Sequence, residues 1–241
     1  MNPSLLENEI PVEERLILAL DVPTVGEARA LVDDLGETVR FYKIGLQLIF
    51  AGGLEFAREL VAEDKKVFLD AKLLDIDQTV TNAVRNIALM GVTFLTVHGE
   101  KRCVQAAVEG ARGTDLDILA VTVLTSLDAG DLRDARISYP VEELVLHRAG
   151  AALEAGAHGV IASGREAASI RAMADDRLTI ITPGVRSAGS AADDQKRVVT
   201  PGQAMASGAD YIVVGRQILR ADDPKAEAEK IIEEIRHGLG M

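Results

Sequence analysis

Residues Asp70-Ala71-Lys72-Leu73-Leu74-Asp75 place two carboxylates and an ammonium within six positions, directly after the apolar run Val67 to Leu69. In an extended strand alternate side chains share a face, so Asp70 and Lys72 are expected to point the same way, about 7 Å apart along the backbone. Asp75 falls just past the strand end. Charges at the mouth of a buried strand are costly to desolvate unless they pair. An ammonium held between carboxylates keeps its charged form. Such a cluster is suited to act on a phosphorylated substrate placed beside it. The ordinary alternative is a structural ion pair.

Further polar residues recur at the ends of other apolar runs. They are Asp21, Lys43, His98, Thr125 and Ser126, then Pro183-Gly184-Val185-Arg186 and Val214-Gly215-Arg216. Asp21 or Lys43 alone reads as a solvated loop residue, and His98 as a rim residue. The two Gly-Arg ends carry more information. Glycine lets backbone N–H groups approach an anion, and arginine adds a forked pair of donors. Gln195, in Asp193-Asp194-Gln195-Lys196-Arg197, is a further donor within reach of such a site, or part of a solvated loop.

The elements that must position these groups form a repeating series. Short apolar runs span Leu16–Leu20, Phe41–Ile44, Val67–Leu69, Phe94–Val97, Ile118–Leu124, Gly159–Ala162, Thr179–Thr182 and Tyr211–Val214. Several are continuous rather than alternating, as in strands covered on both faces. Between them lie helical segments Val25–Leu35, Gly53–Ala62, Thr79–Met90, Lys101–Ala111, Val141–Glu154, Glu166–Ala174 and Gly202–Ala206, with Pro224–His237 closing the series. Gly91, Gly156 and Gly208 are expected to stop the helices that precede them. Eight strand–helix units in 241 residues predict an α/β protein of the (β/α)8 barrel class, a single domain over 15–241 after an N-terminal extension at 1–14. In such barrels the site lies at the C-terminal strand ends, with phosphate bound after strands seven and eight. An open doubly wound sheet would show a glycine-rich turn after the first strand; Leu20-Asp21-Val22-Pro23 stands there instead. The loops Ser126–Tyr139 and Ser187–Val199 are the longest, and long loops often serve as lids.

Composition narrows the partners. The net charge of −12 argues against nucleic acid and anionic membrane, both of which need a basic surface. Aromatics make up only 3%, so an aliphatic core is expected. Cys103 is the sole cysteine and reads as helix filler; the absence of a possible intrachain disulfide fits a reducing compartment. Residues 1–14 carry four acidic and no basic residues, unlike a signal peptide, and no run reaches the roughly 18 apolar residues of a membrane span. These features predict a cytoplasmic protein. His147, His158 and His237 show no metal-ligand spacing, and no metal site is expected.

Taken together, Leu20-Asp21-Val22, Tyr42-Lys43-Ile44-Gly45, Asp70-x-Lys72-x-x-Asp75-Ile76, Thr125-Ser126, Pro183-Gly184-Val185-Arg186, Asp193-Asp194-Gln195-Lys196-Arg197 and Val213-Val214-Gly215-Arg216 resemble the orotidine 5′-phosphate decarboxylase family in its bacterial form, from about Arg15 to Leu219. The Asp-x-Lys-x-x-Asp motif alone also occurs in Mg²⁺-dependent sugar-phosphate barrels such as the 3-keto-gulonate-phosphate decarboxylases. The Pro-Gly-Val-Arg to Asp-Asp-Gln-Lys-Arg segment separates the two. The resemblance implies decarboxylation of orotidine 5′-monophosphate to UMP without a cofactor, in a homodimer with shared sites. It makes Lys72 the proton donor to C6 and puts Asp70 beside the departing carboxylate. Lys43 pairs with the charged array and Asp21 holds the ribose. Asp75 and Thr79 reach into the partner's site, and Thr125 or Ser126 contacts the pyrimidine. Arg186, Gln195, Gly215 and Arg216 grip the phosphate. The chain departs from the family where Leu74 stands for the usual His, Asp77-Gln78 for Pro-Asn, and Ser187 and Gln217 for Pro. A non-catalytic phosphate-binding barrel is the third reading; it would need Arg186 and Arg216 but not the charged array.

Overall fold

A computed structural model describes residues 10–188 and 198–241. Eight parallel strands close into a barrel in sequential order. They are β1 (Leu16–Ala19), β2 (Phe41–Gly45), β3 (Lys66–Leu73), β4 (Phe94–His98), β5 (Asp117–Val121), β6 (Gly159–Ile161), β7 (Thr179–Pro183) and β8 (Tyr211–Val214). The helices run α1 (Val25–Leu35), α2 (Leu46–Leu48), α3 (Leu54–Ala62), α4 (Asp77–Ala88), α5 (Lys101–Ala111), α6 (Ala129–Asp134), α7 (Val141–Glu154), α8 (Ala167–Ala174), α9 (Pro201–Ala206), α10 (Arg216–Leu219) and α11 (Pro224–Gly238). The expected (β/α)8 barrel is thus the fold.

The continuous apolar runs have the predicted cause. Residues facing outward from the strands, such as Leu16, Leu18, Tyr42, Ile44, Val67 and Leu69, pack under the helices in one large shell. Their neighbours face inward and form a second cluster of Ile17, Ala19, Phe41, Phe68, Phe94, Leu119, Ile181, Tyr211 and Val213. This inner cluster corrects the expectation of an aliphatic core. The outer shell is mostly aliphatic, but the barrel floor is aromatic. Phe94 lies 5.1 Å from Phe41, 5.3 Å from Tyr211 and 6.1 Å from Phe68 between ring centroids, in tilted or edge-on contacts. Edge-on geometry suits the ring quadrupoles and adds about 0.5–1.5 kcal/mol per pair to simple burial. Ile10 packs against the same cluster, where the chain enters.

Gly91, Gly156 and Gly208 take φ of +75°, +84° and +92°, the left-handed turn that stops a helix. Asp223 caps α11, its carboxylate accepting from the Ala226 N–H at 2.9 Å. Three short helices escaped the sequence pattern. Residues Leu46–Leu48 are helical and run into a π-helical stretch, Ile49–Gly53, ahead of α3. In the expected loop after β5, α6 is nucleated by Asp128, which accepts from the Gly130 and Asp131 N–H groups, and is anchored by buried Leu132. Six residues with one buried apolar side chain leave no 3.6-residue periodicity to read. The helix α10 begins at Arg216 itself.

Candidate active site

The inward face of each strand, followed upward from the floor, leads directly into the site. Two residues beyond Phe41 stands Lys43; beyond Phe68 stands Asp70; beyond Phe94 stands Thr96. A two-residue step keeps the same face. Lys43 and Asp70 are each 8% exposed, and Thr96 is fully buried. Register pairs Ala19 with Lys43 and Gly45 with Asp70, and Asp21 lies two residues beyond the end of β1.

The charges form one connected array. Lys43 Nζ lies 3.2 Å from Asp21 Oδ1 and 3.3 Å from Asp70 Oδ2. Lys72 Nζ lies 2.7 Å from Asp70 Oδ1. The Thr96 hydroxyl donates to that same oxygen at 2.8 Å and accepts from the Lys72 backbone N–H at 3.0 Å. Asp70 is therefore the hub. Burial alone would raise its pKa, but the ammonium groups of Lys43 and Lys72 and the two side-chain hydrogen bonds outweigh burial and hold it below the usual carboxylate value. Burial would lower the pKa of Lys43; the carboxylates of Asp70 and Asp21 reverse that and raise it.

Lys72 does not reach Asp70 along a regular strand. Its φ is +47°, and the pairing of β3 with β4 shifts between Leu69 and Leu73. The expectation of simple alternation is corrected: a bulge at the strand end re-aims the side chain. A left-handed lysine costs about 1–2 kcal/mol, and the Thr96 hydroxyl helps to hold it there. The expectation that Lys72 sits between two carboxylates is also revised within one chain. Asp75 is exposed, and its carboxylate accepts from its neighbour's N–H, that of Ile76, at 2.6 Å. Thr79 is exposed on α4.

Two cavities meet at this array. One, of about 200 Å³, is lined by Phe68, Lys72, Val121, Val123, Leu124, Thr125, Ser126 and Ile161 together with the shared wall. The other, also about 200 Å³, is lined by Asp21, Gly184, Arg186, Gly215, Arg216 and neighbours. Lys43, Asp70, Pro183 and Val213 line both. A mostly apolar compartment thus adjoins an arginine-lined one, with the charged array at their boundary. Asp75 and Thr79 line neither. Gln195 lies outside the described residues. A larger cavity, of about 710 Å³, opens between α5 and α7 and holds none of these residues.

Two contributors were missed in the sequence. Thr96 gave a signal that went unused, its place two residues past Phe94 on the inward face. Gly45 gave none: a Cβ there would come 2.8 Å from Lys43 Nζ, so a side chain at this position would push the ammonium from its place. His98 is a rim residue with its Nδ1 3.8 Å from Glu100. Cys103 is buried, donates to the Leu73 carbonyl at 3.3 Å, and has its thiol pKa pushed up mainly by burial, the opposite of an activated nucleophile.

Residues 14–231 match the family described as Orotidine 5'-phosphate decarboxylase / HUMPS. The chain belongs to this family. It is 54% identical over 222 residues to the orotidine 5'-phosphate decarboxylase of Afipia carboxidovorans, covering 92% of this chain and 94% of that one. Among solved structures, the orotidine 5'-phosphate decarboxylase of Lactobacillus acidophilus superposes with a TM-score of 0.82 at 34% identity, over 92% of this chain and 99% of the other. An uncharacterized conserved protein from Geobacillus kaustophilus superposes at 0.79 with 33% identity, over 91% and 99%. Members of the orotidine 5'-phosphate decarboxylase / HUMPS family therefore share this barrel along nearly its whole length.

Proposed function

We infer that the protein decarboxylates orotidine 5′-monophosphate to UMP, the step that completes a pyrimidine nucleotide. The observation that carries this reading is the paired compartment. A planar base fits the apolar cavity beside Lys72 and Asp70, and a phosphate fits the arginine-lined cavity, on opposite sides of one charged wall.

Breaking the C6–carboxylate bond leaves its electron pair on C6, where the ring cannot delocalise it well. Lys72 is the group assigned to that carbon. Its ammonium stabilises the growing negative charge and then transfers one Nζ proton to C6, and solvent restores the ammonium. Asp70 faces the substrate carboxylate as a like charge, a repulsion that departure of CO2 removes. Lys43 holds Asp70 in place from the far side and, with Asp21, meets the ribose. Thr125 and Ser126 contact the pyrimidine. Arg186, Gly215, Arg216 and Gln195 take the phosphate, whose binding energy is spent in ordering the site around the base.

No metal enters this scheme. The sugar-phosphate alternative would use Asp21 and Asp70 as Mg²⁺ ligands, yet both carboxylates already face the Lys43 ammonium. The fall in absorbance as orotidine 5′-monophosphate becomes UMP tests the reading. Full activity is expected in EDTA, and dependence on a divalent cation would transfer the chain to the alternative.

The same reading carries a homodimer, built around residues 15–241 and resident in the cytoplasm. Leu74 and Ile76, which flank Asp75, are 56% and 72% exposed. Covering them with a second copy would bring Asp75 and Thr79 to the partner's site. Among the described residues no helix is long and apolar enough to cross a membrane. Sedimentation is expected to give twice the chain mass, and a monomer with full activity would remove Asp75 and Thr79 from the site.

A further inference from the structure

The residues immediately after the two cavity arginines are bonded to each other. Ser187 follows Arg186 past the end of β7, and Gln217 follows Arg216 in α10. The Gln217 carboxamide oxygen accepts from the Ser187 backbone N–H at 3.0 Å, and its nitrogen donates to Ser187 Oγ at 2.8 Å. The same nitrogen donates to Glu227 Oε1, on α11, at 2.6 Å. One side chain thereby ties the ends of β7 and β8 to each other and to a helix of the outer ring. Ser187 is 4% exposed, so its bonds are largely sheltered from competing water.

Gln217 lines the arginine cavity but has nothing to give an anion. A carboxamide has two N–H donors, and these meet Ser187 and Glu227. Only its oxygen retains acceptor capacity, which an anion does not use. Its effect on a bound phosphate must therefore pass through the backbone that carries Arg186 and Arg216.

We propose that Ser187, Gln217 and Glu227 are positioning residues that hold the two arginine-bearing strand ends at a set separation, and so determine how strongly the site prefers a phosphorylated ligand over its phosphate-free counterpart. This rests on the assignment of phosphate to the Arg186 and Arg216 cavity. The pairing of β7 with β8 reaches Pro183 and Val213, below the arginines, and the carboxamide adds a link beyond them.

The test compares orotidine 5′-monophosphate with orotidine in the wild type, Ser187→Ala, Gln217→Leu and the double variant. Gln217→Leu keeps most of the volume and removes every bond. It is expected to lower kcat/KM for the phosphorylated substrate about 10- to 100-fold, mainly through KM, because misplaced arginines weaken the hold on the phosphate. For orotidine the change is expected to stay within about 3-fold. The double variant is expected to be no worse than the poorer single one, since both remove the same link. Equal losses on both substrates, no loss on either, or multiplicative losses in the double variant would overturn the proposal. If Gln217→Leu does not fold, Glu227→Ala decides: it loosens the carboxamide from α11 and is expected to raise KM for the phosphorylated substrate alone. Binding of inorganic phosphate by calorimetry separates the two levels of the argument. A wild type that fails to turn over orotidine 5′-monophosphate defeats the functional reading, while weaker phosphate binding by Gln217→Leu still supports the link and unchanged binding refutes it.

Discussion

The floor and the rim of the barrel lie one pleat apart on the same strands, and they are built on opposite terms. At the level of Phe41, Phe68 and Phe94 the interior is aromatic and buried, with the rings in tilted or edge-on contact. Two residues further along, Lys43, Asp70 and Thr96 fill the same inward positions with charge and hydroxyl. The floor gains from burial. The rim must overcome it: Asp70 and Lys43 keep their charges in a place that opposes both. The difference teaches where stability ends and chemistry begins. A strand that continued its apolar alternation would give a tighter barrel with no reason to bind anything.

Substitutions can break this comparison from either side. Lys72→Ala has the largest expected effect, a loss of at least about 10³-fold in turnover, because one ammonium supplies both charge stabilisation and the proton. It keeps the Cβ, so the left-handed backbone meets no new clash, and Asp70 retains Lys43 and Thr96. Its circular dichroism is therefore expected to match that of the wild type. Phe94→Ala should do the reverse. It leaves a void among three rings and is expected to cost about 3–5 kcal/mol in denaturant unfolding, with kcat per folded molecule nearly kept. Arg216→Ala is expected to raise KM for the phosphorylated substrate by a factor equivalent to about 1.5–3 kcal/mol, the range for a hydrogen bond to a charged group; an unchanged KM would move the phosphate elsewhere.

The smallest expected effect is in acid. A carboxylate whose folded pKa is depressed stabilises the fold above its unfolded value, near 3.9, and loses that contribution as pH falls through the folded value. The gap in melting temperature between wild type and Asp70→Asn should stay constant from about pH 5 to 8 and narrow below about pH 4. A gap that persists undiminished to pH 2 would mean that Asp70 acts through shape rather than charge.

Much of this contrast was legible in the sequence. Strand positions followed from continuous apolar runs, since sheltered strands show them whatever the partner. The charged residues stood out because a run of Val, Phe and Leu gives no other reason for Asp70 or Lys43. Thr96 did not stand out, because a threonine in a strand is unremarkable until the face it shares with Phe94 is known. The left-handed turn at Lys72 was hidden for a related cause: nothing in Ala71-Lys72-Leu73 marks a bulge, which arises from the mismatch between β3 and β4. The aromatic floor was invisible in composition, because four rings gathered at one point look scarce when averaged over 241 residues. Gln217 and Ser187 could be seen only as departures from the family pattern; that they bond to each other is a fact of tertiary structure alone.

The central claim is that the rim does the chemistry while the floor holds it up, with Lys72 as the proton donor. Turnover of orotidine 5′-monophosphate by Lys72→Ala, measured beside its melting temperature, tests this most directly. Activity reduced by at least about 10³-fold at a nearly unchanged melting temperature is the predicted result. Substantial turnover in a folded Lys72→Ala protein would contradict it.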